Sequence, residues 1–570
     1  MANLNEIRSE FFQKSIGTIN VTTKWIDLSR KDLFLRDVYL CADFIFGDGK
    51  RIRASTDLIS VTNSDGEQIS YEPLLSAQPS ISASYSLGTG TASQRTFSLT
   101  IDARKINPLD IILNSGQFLS GICEISLQSK DGSFEDRYII MIGDMIGGIQ
   151  FATDNEFIQI EIGDPVRSQD RIIPENILTK ESFPNMPDNQ VGQRLPIILD
   201  SNTCGVPCIR TTQYEYGPTF LIGYGHQIEV TNVFLNGNEF QSTDNQRGWS
   251  IIYDYTNDGI PYTGVDFVFP TTTEERTTYV TLPDMTTPMP LTSTVTLTGE
   301  PWRDNDSVYV FTTSKYEQRS VLELIKFLLK NYTNFGNLGV DETLFSRAFA
   351  KTPNLLAEFL INASSSSSTA STFSYIQQTV CGSFPMISLA FANGGIGPVF
   401  TDRRSSIIQG QFIVGQSEII DRRTSFTESP KDKCFNSYTL RYGYNAMTDT
   451  YTKVVSRNPS SSNICRISAD RIGLQERTQI DSVIIQDDLV ASYVIEWLVD
   501  HNSLPSYYIE YDCTPNLYFL LTLGDNIQVT DPDLGFTSRI ATIEKIEYQQ
   551  TKVILGLRFW FLYENITRST

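Results

Sequence analysis

The chain is short of histidine, of basic charge and of long apolar runs, and each shortage closes off a class of function. Two histidines, His226 and His501, are all that 570 residues contain. A Ser-His-Asp or Cys-His site would have to use one of them, and neither has neighbours arranged for it. His501 ends a helix-forming stretch, where a cationic ring meets the negative end of the helix dipole, so its expected role is structural. His226 stands in a Gly-Tyr-Gly-His turn and reads as a loop residue. The sequence has no G-x-S-x-G elbow, no H-E-x-x-H helix and no G-x-x-x-x-G-K-[ST] loop. Lys and Arg number 45 against 66 Asp and Glu, a formal net charge of −21. Proteins that hold phosphate backbones or anionic membranes do so with basic side chains, so both partners are disfavoured.

No stretch approaches the ~18 uninterrupted apolar residues of a membrane span. The first twenty residues carry charges throughout and no apolar h-region, so synthesis in a cytosol without a signal peptide is expected. Close cysteine pairs are missing as well. Cys204 and Cys208 lie nearest one another, but not at C-x-x-C spacing, and Cys41, Cys123, Cys381, Cys434, Cys465 and Cys513 are scattered. Buried free thiols are the expected state.

What the chain has is apolar mass and β signals. Apolar residues make up 40% and charged residues 19%, with 26 Tyr and 33 Phe, a composition that fills cores. At roughly 100–200 residues per domain, three to five domains are expected. Short runs rich in Val, Ile, Thr, Tyr and Phe alternate with turn pairs at Asp48-Gly49, Asp65-Gly66, Asp131-Gly132, Asn236-Gly237 and Asp258-Gly259. Typical predicted strands are 138–142, 158–162 and 553–563. Helices are few. The apolar stripe of Val321, Leu324, Ile325, Leu328 and Leu329 predicts one over 320–336, with Gly336 as its stop. Leu489, Val490, Tyr493, Val494, Trp497 and Leu498 predict another over 487–501, with Asp487 and Asp488 at its N-terminus. Shorter helices are expected over 354–361 and 372–380. Residues 361–374 are Ser-rich and read as a loop.

The fold class expected is mainly β with a few helices (α+β), in several domains. Pattern breaks near 165, 300 and 400 divide the chain into an N-terminal β-barrel tube-like domain (1–165), a β-rich middle domain (166–300), a mixed helix and strand domain (301–400) and a C-terminal β-barrel tube-like domain (401–570). One internal echo links the ends. Strand, Gly143-Asp144 turn and strand near 138–162 resemble strand, Gly524-Asp525 turn and strand near 518–548.

Chemical candidates are weak. Gly88-Thr89-Gly90 lacks a third glycine at dinucleotide spacing, and the cluster Asn393 to Pro398 lacks a lysine for phosphate. A calcium-like run from Asp254 has Thr256 at its third position and Val265 at its twelfth, where the loop needs a bidentate carboxylate. A glycosidase carboxylate pair is spatial and leaves no local mark. No catalytic, cofactor-binding or metal residue is therefore assigned, and no cofactor is expected.

The C-terminal third carries a specific order. YTLRYGYNAMTDTYT (438–452) leads into the helix-forming 487–501, then into 506–548 with its Gly-Asp turn, Val-Thr-Asp strand end and Leu-Gly turn, and a closing strand. That order resembles the baseplate hub and tail-tip proteins of long-tailed bacteriophages. GQRLPIILDSNTCGVPCIRTT (192–212), VFLNGNEF (233–240) and FSYIQQTVCGSFPMISLAFANGGIGPVF (373–400) resemble further parts of them, so the likeness spans roughly 190–560 and, more weakly, 30–165. It implies a structural virion protein: a homotrimeric ring capping the tail tube, each subunit supplying two β-barrel modules. The implied partners are tail tube protein, distal tail protein, tape measure protein and tip or fibre proteins. DNA would pass through during ejection without specific binding, and no membrane anchor is implied. An acidic lumen would suit that passage. Some members hold an iron–sulfur cluster, but no compact four-cysteine run is present here. The rival readings are a host-binding adhesin or carbohydrate-binding tail protein, which would use the aromatic content, and a virion-borne polysaccharide hydrolase.

Overall fold

A computed structural model describes Trp25 and residues 37–46, 50–76, 80–85, 95–105, 121–147, 150–151, 156–199, 201–211, 219–224, 228–239, 248–257, 260–268, 272–280, 289–297, 307–314, 319–335, 339–362, 370–392, 395–402, 413–423, 427–428, 433–549 and 551–560. Strands dominate, as expected for a mainly β chain. The N-terminal part forms one large sheet from β1 (Val38–Ile45), β2 (Arg51–Ser55), β3 (Ile59–Thr62), β4 (Gln68–Pro73), β6 (Thr96–Asp102), β7 (Ile122–Ser129), β8 (Tyr138–Met145) and β9 (Phe157–Gly163), in the order β3-β4-β2-β1-β7-β8-β9-β6.

Local chemistry explains the pieces. β3 and β4 alternate buried and exposed residues, as a half-covered hairpin should. Their turn is held by Asn63, whose Oδ1 accepts from the amides of Asp65 and Glu67 at 3.1 and 2.7 Å, while Gly66 takes φ +82°. β1 and β7 are buried on both faces, as central strands. One end of the path, β6, approaches the segment that follows β4. Leu75 donates its amide to Ser55 O, Ser76 donates to Thr100 O and Asp102 donates to Leu74 O, and a single bridge pairs Leu75 with Ile101. That tie is one bridge wide, not a ladder.

The C-terminal sheet runs β17 (Ile413–Val414), β22 (Asn526–Asp531), β23 (Phe536–Gln549), β24 (Lys552–Trp560), β21 (Ser506–Cys513) and β18 (Ile419–Arg422). Its two end strands, β17 and β18, are separated along the chain only by residues 415–418, and Ile419 donates its amide to Gly415 O. Four residues cannot span six strands laid flat at ~4.8 Å each, so the sheet curls. Among the described residues no ladder closes either sheet into a barrel.

The two sheets are stitched together by β5 (Ile81–Ser84). The chain leaves the N-terminal sheet, pairs antiparallel with residues 545–548 of β23 on the edge β22 also uses, and returns as β6. One apolar core spans both, from Trp25, Phe44 and Ile140 to Tyr511, Ile543 and Leu557.

A second core is helical. α1 (Val321–Asn331), α2 (Glu342–Lys351), α3 (Asn463–Ile472) and α4 (Asp488–Asn502) surround it with the hairpin β15 (Ile387–Ala392) and β16 (Gly395–Phe400). α1 starts on a capping box, Ser320 with Glu323, and buries the stripe read from the sequence. α1 ends at Asn331, and Gly336 lies outside the described residues. α4 starts on Asp487, whose carboxylate accepts from the amides of Leu489 and Val490. Segments Thr372–Tyr375, Ile376–Val380 and Cys381–Ser383 run on as one helix with a π turn in the middle.

Three expectations need correction. No helix covers 354–361. Instead β14 (Phe359–Ile361) pairs with β10 (Ile197–Leu199), because a partner strand overrides the weak local helix signal. Gly143-Asp144 is not a turn but lies inside β8, where a Cβ on Gly143 would sit 2.7 Å from Gly163 O. The glycine permits close strand approach, and the echo with Gly524-Asp525 does not hold. Helices α2 and α3 were not foreseen, since their apolar stripes are short and interrupted by polar residues.

Beside the helical core, β11 (Asn202–Pro207), β12 (Ile228–Leu235) and β13 (Val308–Ser314) form a smaller sheet with Asn238–Glu239, in the order β11-β13-β12. The Asn236-Gly237 pair makes the expected tight turn, both residues at positive φ. A further sheet joins Ile209–Arg210, Thr219–Tyr224, Ile260–Val268 and Gly248–Asn257, and Thr272–Val280 pairs with Met289–Leu297. Near the C-terminal helices, β19 (Tyr438–Asn445) pairs with β20 (Thr450–Arg457).

β16 lies flat on α2. A Cβ on Gly397 would meet Leu344 Cβ at 2.7 Å. Gly397→Ala is therefore expected to destabilise by about 1–3 kcal/mol through overpacking. Gly382, with open space around it, serves as the control for a lowered urea midpoint.

Candidate functional site: the junction of the two sheets

Where the N-terminal sheet, α2, the β15–β16 hairpin and the C-terminal sheet meet, the chain buries paired charges. The turn before β22 places Gly524 at φ +79°, with a would-be Cβ 2.5 Å from Val399 Cγ1, so only glycine fits. The next residue, Asp525, is 2% exposed. Its carboxylate accepts from Thr522 N at 2.9 Å and pairs with two cations, Arg347 and Lys351, the latter at 3.0 Å. Those two stand four apart on α2 and so share a face. Lys351 also donates to Gly524 O at 2.9 Å and Arg347 to Leu520 O at 3.3 Å. α2 is thereby clamped onto the C-terminal sheet.

Beside this clamp lies a cavity of about 80 Å³, room for a few waters. Ile81, Ala83, Tyr138, Tyr518, Phe519 and Ile546 give it an apolar wall, and Arg95 and Arg347 are the charged residues in its lining. Each guanidinium is committed to a carboxylate. Arg95 holds Asp164 at 2.9 Å with both side chains buried. Burial pushes the Asp164 carboxyl up, and Arg95 opposes that shift. Aromatic rings finish the seam. Phe519 meets Trp25 at 5.7 Å and Tyr138 at 4.9 Å, and Tyr518 meets Tyr548 at 5.0 Å. Tyr85, one residue past β5, meets Thr401 at 2.8 Å, and burial pushes its phenol up. This arrangement locks modules together and offers no nucleophile with an adjacent base.

His501 lies in the last turn of α4, but in the core rather than at a wet helix end. It is 2% exposed and stacked on Trp497 at 4.2 Å, with the Trp560 edge at 4.9 Å. Its Nδ1 is 2.9 Å from Trp497 O and its Nε2 4.0 Å from Asp402 Oδ1. His226, Gly88 to Gly90, Asp258-Gly259, Asn393-Gly394 and Ser364 to Ser368 lie outside the described residues. The backbone from Asp254 to Val265 belongs to two paired strands wherever it is described, not to a calcium loop. Gly395 to Pro398 lie within β16. Seven cysteines are buried and Cys208 is half-buried, and none is bonded to another. Among the described residues no group of three or more His, Cys, Asp or Glu is placed to hold a metal ion. No described helix is long and apolar enough to cross a membrane.

A second buried charge cluster sits under the β3–β4 hairpin. Asp43 lies opposite Glu124 across β1 and β7, and opposite Arg53 across β1 and β2. Glu124 is held by Arg137 at 2.6 Å. Asp43 and Arg53 come within 3.1 Å without hydrogen-bond alignment. Burial, then the Glu124 charge, raises Asp43 to about 6. The sequence did not single out Arg95, Arg347, Lys351 or Asp525. The four-residue spacing of Arg347 and Lys351 was readable, but their shared acceptor lies 174 positions beyond Lys351.

No family model matches the chain, and no curated protein matches it by sequence. Solved structures overlap it loosely. A tail protein from Neisseria meningitidis MC58 aligns over 92% of this chain and 96% of its own, at 9% identity and a TM-score of 0.35. A chain from the virion of a native gene transfer agent particle aligns over 53% of this chain and 87% of its own, at 10% identity and a TM-score of 0.18. A chain of the p2 virion baseplate in its activated conformation aligns over 69% of this chain and 98% of its own, at 11% identity and a TM-score of 0.16. Overlaps this loose do not establish a common fold.

Proposed function

We propose that this chain is a structural, non-enzymatic protein of a bacteriophage-type tail tip. In this reading it is a hub that caps the tail tube, lines the channel for DNA and connects the tube to tip or fibre proteins. The observation that carries the reading is the pairing of two large β sheets from opposite ends of one chain. They share a single apolar core and are stitched by β5 across the seam. Each sheet curls back on itself, one through the Leu75–Ile101 bridge between the segment after β4 and β6, the other through residues 415–418. Two β modules held side by side are what a ring subunit needs if three copies are to present six similar faces to a tube. The order of α4, β21, the Gly-Asp turn, β22, the Leu-Gly turn, β23 and β24 follows the order on which the hub resemblance rests. Closing such a ring would cover strand edges that otherwise invite aggregation.

Light scattering on the purified protein, alone and mixed with tube protein, tests this. A mass three times that of one chain, and a complex with tube protein, is expected. A monomer that never joins tube protein would overturn the hub reading, and glycan binding by that monomer would favour the adhesin.

A further inference from the structure

The smaller sheet is fastened to the helical core at a buried carboxyl group that, among the described residues, pairs with no cation. Glu358, just before β14, is 7% exposed. Its carboxylate accepts from the amide of Thr203 at 2.7 Å and from Thr203 Oγ1 at 3.1 Å, both on β11. Its own amide donates to Ile484 O at 2.9 Å, so the residue spans from β11 to the segment leading into α4. The same stretch of β11 is gripped from its other side. Ala446, in the turn between β19 and β20, donates its amide to Cys204 O, and a Cβ on Gly205 would stand 2.9 Å from Met447 Cγ. A cleft of about 230 Å³ opens beside Glu358, lined by Leu356, Ala357, Gln486 and Asp487.

We propose that Glu358 is a pH-operated latch that holds β11 to the helical core when protonated and releases it when ionised. Burial without a cation partner favours the protonated form, and the two Thr203 hydrogen bonds oppose it. From β11 it faces Cys204, whose own thiol is pushed up to about 12 by burial and then by the Glu358 charge. From the segment before α4 it faces Asp487, whose carboxylate is occupied by the amides of Leu489 and Val490. On β20, Lys453 is engaged by Asp488 and Gln486 O. Among the described residues no cation pairs with Glu358, and burial raises it from 4.5 to about 7 against the two Thr203 hydrogen bonds. A carboxyl raised in the closed state stabilises that state fully below about 4.5. The stabilisation is lost as pH rises through about 7.

Hydrogen exchange at the amides of Ala446 and Thr203 reads the latch directly in the full chain. Between pH 5.5 and 8.5, after correction for intrinsic exchange, opening is expected to become about thirtyfold more frequent in the wild type. Glu358→Gln keeps the acceptor for Thr203 and cannot ionise, so its protection should stay flat over that range. Equal pH dependence in the two proteins would overturn the latch. Should E358Q fail to fold, a wild type whose corrected protection at Ala446 does not change with pH would overturn it equally.

Discussion

Asp525→Ala is expected to lower the stability of the junction by about 3–5 kcal/mol, because it strips one buried carboxylate from two cations at once. Arg347 and Lys351 would then face Leu520 O and Gly524 O with no counter-charge, and Lys351 has a side chain only 10% exposed. The turn would also lose the Thr522 amide's acceptor. Asp525→Asn should recover part of the loss, since it keeps the acceptor for Thr522 and removes only the charge. A urea titration followed by calorimetry separates the two variants. Both should lower the transition that melts the joined sheets, with the alanine lower. If D525A unfolded at the wild-type midpoint, the clamp between α2 and the C-terminal sheet would carry no stability, and the junction would rest on apolar packing alone.

Trp497→Ala should cost a similar ~3–5 kcal/mol, for a different reason. Trp497 is fully buried in the helical core, and its Nε1 donates to Thr401 O at 2.7 Å. Its ring supports His501 on one face, and His501 in turn meets Trp560 of β24. Truncation leaves a cavity, an unpaired carbonyl and an unsupported imidazole together. Trp497→Phe restores most of the volume but not the hydrogen bond, so its loss should be about 1–2 kcal/mol smaller than alanine's. Near-ultraviolet circular dichroism and the urea midpoint should both move. A W497A protein as stable as the wild type would show that α4 is not anchored through this ring.

The elements that the sequence announced are those whose signal is local. α1 and α4 showed their apolar stripes and N-terminal caps, and the structure places Val321–Asn331 and Asp488–Asn502 within a few residues of the expected bounds. The strands at 138–145, 157–163 and 552–560 showed as runs of Ile, Val, Tyr and Phe. Asn236-Gly237 showed as a turn because both positions need positive φ. These features depend on neighbours within about one helical turn or two strand residues, so periodicity and turn chemistry suffice to read them.

Tertiary structure alone decided the rest. Phe359–Ile361 carries a pattern that suits a helix, and only the presence of Ile197–Leu199 makes it a strand. Gly143 and Gly524 look alike beside their aspartates, yet one permits two strands to approach and the other turns the chain. β5 has four residues of modest β preference, and nothing nearby says that it pairs more than 460 positions away. Asp525 is one of 66 acidic residues until α2 brings Arg347 and Lys351 to it. Glu358 is a surface-type residue in the sequence, and only its burial in the packed chain makes its ionisation costly. Local pattern thus determined which segments are strand, helix or turn wherever the preference was strong. Pairing partners and the environment of each buried charge were set by contacts between distant segments, because desolvation and ladder formation belong to the packed chain and to no short stretch of it.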